Sequence, residues 1–232
     1  MPLILLPNLL DENQDIDLYF PPKLKTIIES LEGLIAENEK NARNYLFRFL
    51  QREEAKKINL KLLNEHTKES ELKELIELIA KGNWGIISDA GLPCIADPGA
   101  NLVKYARAKN IEVKAVSGPS SIFLALMLSG LNGQQFSFHG YLPREEDELK
   151  KKIKFLENET LKNKTTQIFI EAPYRSDKLL NILRNTLKDD FYLCIAISLT
   201  AKEEKVITKK IKEWKEDPLI IGKNPTVFLF NI

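Results

Sequence analysis

The chain has 232 residues, of which 44% are hydrophobic and 29% charged, so it can bury a core and form one large domain or two small ones. Its formal net charge is only +1, so no global field attracts it to nucleic acid, although a basic patch can exist within a neutral total. No stretch approaches the roughly 20 apolar residues of a transmembrane helix, and the amino terminus lacks a basic leader. We therefore expect a cytoplasmic protein with no membrane segment.

The first half of the sequence alternates short apolar runs with segments of helical periodicity. The predicted strands are residues 3–6, 34–36, 58–63, 84–87 and 111–116. The predicted helices are residues 23–31, 40–51, 102–109 and 122–128. A further helix is predicted to begin at a cap formed by Thr67 or Ser70 and to end at residues 81–82. Residues 9–22 are expected to be irregular. This alternation predicts a mainly parallel sheet with helices on both faces.

The second half differs in pattern. Its predicted strands are residues 136–142, 166–170, 192–197 and 227–230, and its predicted helices are residues 144–158, 177–187 and about 208–214. We expect an α/β fold of two domains, residues 1–117 and 118–232, with a ligand cleft between them. The two cysteines, Cys94 and Cys194, lie in apolar surroundings and are expected to be buried, reduced thiols.

The stretch Ser88–Gly99 is the most heavily punctuated part of the chain. It holds two glycines, two prolines and two aspartates between a predicted strand and a predicted helix. Ligands of α/β proteins bind at the carboxyl ends of strands, so this loop is expected to form one wall of a small-molecule site. Asp89 and Asp97 are expected to brace it through hydrogen bonds to backbone. Ser120 and Ser121 precede an apolar helix, where they can cap free amides or help to bind an anion.

These loops resemble the tetrapyrrole methylase superfamily of S-adenosylmethionine-dependent methyltransferases. The resemblance is carried by Ser88–Pro93, Asp97–Gly99 and Ser117–Ser121, and within the superfamily it is closest to the ribosomal RNA small subunit methyltransferase I branch. Further motifs that are similar to this branch are Ala36–Asn38 leading into Arg43, Glu65–His66, Phe138–Pro143, Glu171–Arg175 and Leu199–Thr200. The sequence lacks the extra carboxyl-terminal segment that this branch tends to carry, so it is interpreted as a shorter and divergent form.

The resemblance implies a homodimer of two-domain chains with S-adenosylmethionine held between the domains. It also implies a set of residues that contact the cofactor: Asp89, Ala90, Gly91, Ile95, Ser120, Ser121, Ala172, Leu199, Pro225 and Thr226. Gly91 and Gly99 suit close approach of backbone to a ligand. The sequence predicts no metal.

The function that this resemblance implies is 2′-O-methylation of a ribose in small-subunit ribosomal RNA, with ribosomal RNA or the small ribosomal subunit as partner. A ribose hydroxyl must lose its proton, and the candidates that can accept it are Glu37 and His66. Arg43 and Arg175 are candidates for binding the phosphate of the substrate. Two alternatives remain open: a methyltransferase that acts on a tetrapyrrole or another small molecule, and a protein that binds S-adenosylmethionine without turnover. Lys150–Lys152 are interpreted as an exposed helix face and His139 as structural.

Overall fold

The structure is a computed structural model that describes residues Met1–Ile232. The chain divides into two compact units, Met1–Ser120 and Ser121–Ile232, whereas the sequence predicted this boundary after residue 117. Each unit has a five-stranded sheet and its own buried apolar residues, so the two units are described one after the other.

The first unit has a parallel sheet with helices on both faces, as the alternation of elements predicted. Its strands are β1 (Leu3–Leu5), β2 (Gly33–Ala36), β3 (Asn59–Leu62), β4 (Trp84–Ile86) and β5 (Val113–Ala115), in the order β3-β2-β4-β1-β5. Its helices are α1 (Ile16–Tyr19), α2 (Leu24–Glu29), α3 (Glu39–Phe47), α4 (Arg52–Lys57), α5 (Glu69–Lys81) and α6 (Gly99–Ala108). Every strand pairing is parallel, so the carboxyl ends of all five strands lie at one edge.

Two apolar clusters cover the two faces of this sheet. Successive strand residues point to opposite faces, and so Leu34 packs with residues of α2 and α3 while Ile35 packs with residues of α5 and α6. The apolar face of α5 is buried in the second of these clusters; its members are Leu72, Leu75, Ile76 and Ile79.

Local boundaries in this unit differ from the prediction at three places. The helix predicted at residues 40–51 ends earlier, at Phe47, and Gln51 is the N-cap of the separate helix α4, with its amide donating to Glu54 Oε2 at 3.2 Å. Neither Thr67 nor Ser70 is the N-cap of α5: Lys68 holds that position, and its amide donates to Glu71 Oε2 at 2.7 Å. Short α1 lies within the stretch expected to be irregular.

The second unit has a mixed sheet. Its strands are β6 (Phe136–Tyr141), β7 (Thr166–Glu171), β8 (Tyr192–Ile197), β9 (Lys205–Lys210) and β10 (Thr226–Asn231), in the order β6-β7-β10-β8-β9. Its helices are α7 (Ser121–Ser129), α8 (Glu146–Asn163), α9 (Ser176–Thr186) and α10 (Ile211–Trp214), and Pro173–Arg175 form a 3-10 turn. Only the β6–β7 pair is parallel.

The helix predicted around residues 208–214 is wrong over its first part. Residues Lys205–Lys210 form β9, which pairs with β8 along its whole length, and only Ile211–Trp214 are helical. The run Val206–Thr208 is entirely β-branched, a composition that favours a strand.

Both cysteines are free, as predicted, but only Cys194 is fully buried, whereas Cys94 is partly exposed. No helix is long and apolar enough to cross a bilayer. No group of three or more side chains of the metal-binding types is arranged to hold a metal ion.

Candidate functional site

The loop Ser88–Gly99 lies at the carboxyl end of β4, the central strand of the first unit. It runs directly into α6, whose first residue is Gly99. Asp89, Ala90 and Ile95 are exposed, whereas Gly91 is buried with a φ of +71°. The loop therefore offers accessible groups at the edge of the sheet where α/β proteins bind ligands.

Asn8, a residue that no sequence motif singled out, fixes this loop. Its side-chain Nδ2 donates to the carbonyls of Ser88 and Asp89, both at 3.0 Å, and its amide donates to Gly91 O at 2.7 Å. Its Oδ1 accepts from Arg48 Nη1 at 3.0 Å. The sequence does contain one indication of this role: Asn8 follows a buried strand closely, and an amide side chain at such a position can donate to the carbonyls of a neighbouring loop.

Asp97 braces the loop from within, as predicted. Its Oδ1 accepts from the amides of Gly99 at 2.7 Å and Cys94 at 3.2 Å. A Cβ on Gly99 would lie 2.8 Å from that same oxygen and 2.9 Å from Ile86 Cδ1, so any other residue would force these side chains to move. Asp89 does not make the predicted bond to backbone: its Oδ1 accepts from Asn41 Nδ2 at 2.9 Å.

Glu37 completes a cluster of three carboxyl groups with Asp89 and Asp97. It directly follows β2, the strand beside β4, so all three residues lie at the same edge of the sheet. Burial, the charges of Asp97 and Asp89 and a hydrogen bond with Asp97 raise the pKa of Glu37 to about 7, although a backbone hydrogen bond from Asp89 opposes the rise. Near neutral pH this carboxyl group is therefore partly protonated, so it can both donate and accept a proton.

Glu37 also lines an open groove of about 670 Å³ on the first unit. The other residues of the groove are Asn38, Glu39, Lys40, Arg43, Asn44 and Leu62. The groove contains both signs of charge, and Glu37 is one of the residues that an external molecule would meet there.

Arg43 is partly committed to the fold. Its Nη1 donates to Ala55 O at 2.8 Å and Ile58 O at 3.4 Å, which places the guanidinium at the C-terminus of α4. Its Nη2 lies 4.0 Å from Glu39 Oε1, at the groove. Because of these two backbone contacts, the Arg43 side chain is not simply solvated on the outer face of its helix.

His66 lies in the loop after β3, and 86% of its side chain is exposed. Its Nε2 is 3.6 Å from Glu65 Oε1, and its amide donates to Asn64 Oδ1 at 2.9 Å. Its imidazole is thus more solvated than the carboxyl group of Glu37, the other candidate base.

The strand register of the second unit brings its four predicted cofactor residues to one edge of its sheet. Thr226 at the start of β10 is opposite Glu171 of β7 and Ile197 of β8, and the amide of Ser198 donates to Pro225 O at 2.9 Å. Ala172 follows Glu171, and Leu199 follows Ser198. Leu199 and Thr226 are buried, whereas Pro225 is exposed and Ala172 is partly exposed.

Arg175 forms a buried ion pair in this unit. Its Nη2 lies 3.1 Å from Glu171 Oε2, and it donates to Pro143 O at 3.3 Å. The Glu171 side chain is 1% exposed, and its Oε1 accepts from Ala172 N at 2.8 Å. The guanidinium therefore holds the backbone around Ala172.

The remaining predicted residues are Ser120 and Ser121, which lie on either side of the division between the units and are both partly exposed. His139 is structural, as interpreted: its Nε2 lies 2.6 Å from Gln167 Oε1, and burial lowers its pKa. Lys150 pairs with Glu146 on the exposed face of α8, in agreement with a solvated helix.

The family model described as Tetrapyrrole (Corrin/Porphyrin) Methylases matches residues 20–215. "Ribosomal RNA small subunit methyltransferase I" of Bacillus subtilis is 36% identical over 164 residues, which are 69% of this chain and 54% of that protein. The protein of the same name from Thermotoga maritima is 35% identical over 153 residues, 65% of each chain. The matched segments thus span between about half and two thirds of these relatives.

The solved structures include "Crystal structure of the methyltransferase CobJ", which is similar with a TM-score of 0.65 and 14% identity over 99% of this chain and 93% of that one. At this identity the likeness concerns the fold alone. Together the matches confirm the expected family resemblance and the α/β fold class.

Proposed function

The chain belongs to the tetrapyrrole (corrin/porphyrin) methylases, and on that premise we propose that it is an S-adenosylmethionine-dependent methyltransferase whose acceptor is a ribose 2′-hydroxyl of small-subunit ribosomal RNA. The similarity to the two relatives named for ribosomal RNA supports the acceptor. The observation that carries the chemistry is the protonatable residue Glu37, which lines an open groove and whose pKa responds to Asp89 and Asp97 of the loop Ser88–Gly99.

The loop Ser88–Gly99 fits a cationic methyl donor. The carboxyl groups of Asp89 and Asp97 are close enough to Glu37 to raise its pKa, and the same negative field favours a positively charged sulfonium. The hydrogen bonds from the amides of Gly99 and Cys94 to Asp97 Oδ1 hold the backbone of the loop, while Ala90 and Ile95 are exposed. We propose that these exposed residues and Gly91 contact the donor.

The second unit is proposed to contribute Ala172, Leu199, Pro225 and Thr226 to donor binding. The sheet register gathers these residues at one edge, which supports a shared role. The Glu171–Arg175 ion pair fixes Ala172, so we assign Arg175 to holding this edge. Ser120 and Ser121, next to the first turn of an apolar helix, remain proposed contacts.

Glu37 is the proposed base. S-adenosylmethionine, when bound, would supply an electrophilic methyl group on a sulfonium, and the residues of the site would position the acceptor oxygen for attack on it. In its ionised form, Glu37 accepts the proton of the acceptor hydroxyl as the new O–CH₃ bond forms, and the electrons of the broken S–CH₃ bond remain on sulfur. A pKa of about 7 suits this role, because a base works best when its pKa lies near the working pH.

Arg43 is proposed to meet the acceptor backbone at the groove. Its Nη1 is fixed by two carbonyls, and this anchoring limits the motion of the guanidinium while Nη2 remains near the groove. A guanidinium suits a phosphate better than an ammonium does, because its donors match two oxygens at once.

The proposal is tested with labelled S-adenosylmethionine and small ribosomal subunits from a strain that lacks the gene. We expect label in the RNA, released as a 2′-O-methylated nucleoside after complete nuclease digestion. Label on a base, or transfer only to a tetrapyrrole, would refute the assigned acceptor. Cofactor binding by calorimetry with no transfer to any acceptor would instead favour a protein without turnover.

The homodimer and the cytoplasmic location stay predictions. The apolar helix α7 exposes Phe123, Met127 and Leu128, and an exposed apolar face of this kind supports the proposed self-association. Light scattering during size-exclusion chromatography distinguishes a dimer from the 26.6 kDa monomer.

A further inference from the structure

The hydrogen bonds of Asp97 leave one of its two carboxyl oxygens without a donor. Oδ1 accepts from two backbone amides of the loop, Gly99 N and Cys94 N. Oδ2 is buried and has no N–H or hydroxyl partner. A buried acceptor without a donor is unfavourable, so a neighbour that carries a proton would stabilise this oxygen.

Glu37 is the neighbour that can supply this proton. Its side chain lies close enough to Asp97 for the two carboxyl groups to influence each other, and two carboxyl groups form a hydrogen bond only when one of them is protonated. A proton shared by Glu37 and Asp97 thus explains both why Asp97 Oδ2 has no other donor and why two carboxyl groups lie next to each other.

We propose that Asp97 is a positioning residue for Glu37: the two carboxyl groups share one proton through Asp97 Oδ2, and this bond holds Glu37 at the junction of the groove and the loop Ser88–Gly99. The catalytic part of this inference rests on the proposed function. The shared proton itself does not.

The other charged groups near Glu37 agree with this arrangement. Asp89 adds a second negative charge from the same loop, but its Oδ1 is occupied by Asn41 Nδ2. On α3, Glu39 and Arg43 lie 4.0 Å apart and partly offset each other, and Lys40 is exposed at the groove. Cys94 stays a neutral thiol near neutral pH, because burial and Asp97 raise its pKa to about 11.

The shared proton has a consequence for catalysis. Glu37 must release it to water through the groove before the carboxylate can accept a proton from the acceptor hydroxyl. The loop that contains Asp97 therefore controls when the base becomes available. The rate of transfer should rise with pH as Glu37 ionises.

The test is the substitution Asp97→Asn. The carbonyl oxygen of the new side chain can still accept from both loop amides, so the brace persists, while its NH₂ group now donates to Glu37 and favours the ionised form. Asp89→Asn removes one negative charge from the same cluster without touching the shared bond, and serves as the matched control. Glu37→Gln identifies the Glu37 signal by deleting it.

The readout is the titration of side-chain carboxyl carbons by NMR in ¹³C-glutamate-labelled protein without ligand. We expect Glu37 to titrate near pH 7 in the wild type, more than about one pH unit lower in Asp97→Asn, and by a smaller shift in Asp89→Asn. The acid limb of the pH–rate profile should move in the same order. A Glu37 titration near its ordinary value of 4.5 in the wild type, or one that Asp97→Asn leaves unchanged, would overturn the proposal.

These readouts separate the inference from the proposed function. The NMR titration needs no substrate, so the expected shifts without any methyl transfer would uphold the shared proton and refute the assigned reaction. Methyl transfer together with an ordinary Glu37 titration would refute the shared proton and leave the reaction intact.

Discussion

Glu37 and Glu171 both stand at the carboxyl end of a buried strand, yet their surroundings are opposite. Glu171 ends β7 and pairs with Arg175 at 3.1 Å, while Ala172 N donates to its other oxygen. Glu37 follows β2 and faces Asp89 and Asp97, two groups of its own sign. The Glu171 pair holds the backbone, whereas Glu37 is driven toward its protonated form. The same residue type thus serves structure in one unit and proposed chemistry in the other.

The largest expected effect on folding comes from breaking the buried ion pair of Glu171 and Arg175. Arg175→Gln leaves the 1% exposed Glu171 side chain without its cation, so the second unit should lose about 3 kcal/mol of unfolding free energy. Urea unfolding followed by fluorescence of Trp214, in a Trp84→Phe background, reports on this unit. The exposed pair Lys178–Glu146 provides the control: Lys178→Ala should cost about 0.5 kcal/mol or less. An equal loss of unfolding free energy in the two variants would contradict the stabilising role that we assign to the buried pair of Glu171 and Arg175.

The second largest effect is expected from removing the hydrogen bonds that support the loop Ser88–Gly99. Asn8→Ala removes two hydrogen bonds to Ser88 O and Asp89 O and the partner of Arg48, so the first unit should lose about 2 kcal/mol. Its affinity for S-adenosylmethionine should fall about tenfold. Urea unfolding followed by Trp84 fluorescence and calorimetry measure the two quantities. Wild-type affinity in a destabilised Asn8→Ala protein would mean that the loop does not hold the donor.

Glu37→Gln should stabilise the protein at alkaline pH. The folded state raises the pKa of Glu37 from 4.5 to about 7, so it holds more protons than the unfolded chain between these values, and stability falls as pH rises through that window. A glutamine side chain has nearly the same shape as the protonated glutamate but does not ionise, so the variant does not lose stability as the pH rises. At pH 8 the variant should be more stable by about 1 kcal/mol, since water around the partly exposed carboxyl weakens the repulsion.

Unfolding free energies at pH 5 and pH 8 provide this measurement. The gain should be much smaller at pH 5, near the lower end of this window, where Glu37 is protonated in the native protein. Exposed Glu112, replaced by Gln, should show no such pH-dependent gain. A Glu37→Gln protein that is less stable than the wild type at pH 8 would show that the carboxylate is favourably paired, as Glu171 is.

The smallest expected effect is at the second candidate base. His66→Ala should leave the rate of methyl transfer and the stability close to wild type, because 86% of the imidazole side chain is exposed. Steady-state transfer assays at saturating donor and RNA test this. A loss comparable to that of Glu37→Gln would move the role of base to His66.

The sequence was sufficient to predict what depends on local pattern. Alternating apolar periodicity predicted the parallel sheet, and the punctuation of Ser88–Gly99 predicted its loop. The strand β9 was missed because its β-branched run is short and adjoins a real helical turn. Asn8 and Asn41 were missed because their partners lie 80 and 48 residues away, a distance over which single-sequence periodicity carries no information.

The contrast between the two glutamates was also beyond the sequence. Both residues stand in motif-like segments, and the sequence does not show which charged groups surround Glu37. Glu171 has Arg175 four residues away, which a reader can find, but Glu37 meets Asp97 only because β2 and β4 are neighbours in the sheet. The pKa of Glu37 is therefore a property of topology.

The central claim is that Glu37 serves chemistry and not folding. The most direct test is the rate of labelled methyl transfer to small ribosomal subunits by Glu37→Gln at saturating donor and acceptor, with donor affinity measured in parallel by calorimetry. We predict a rate about 100-fold or more below wild type, with the donor dissociation constant unchanged within about twofold. A Glu37→Gln protein that transfers methyl groups at the wild-type rate would contradict the claim.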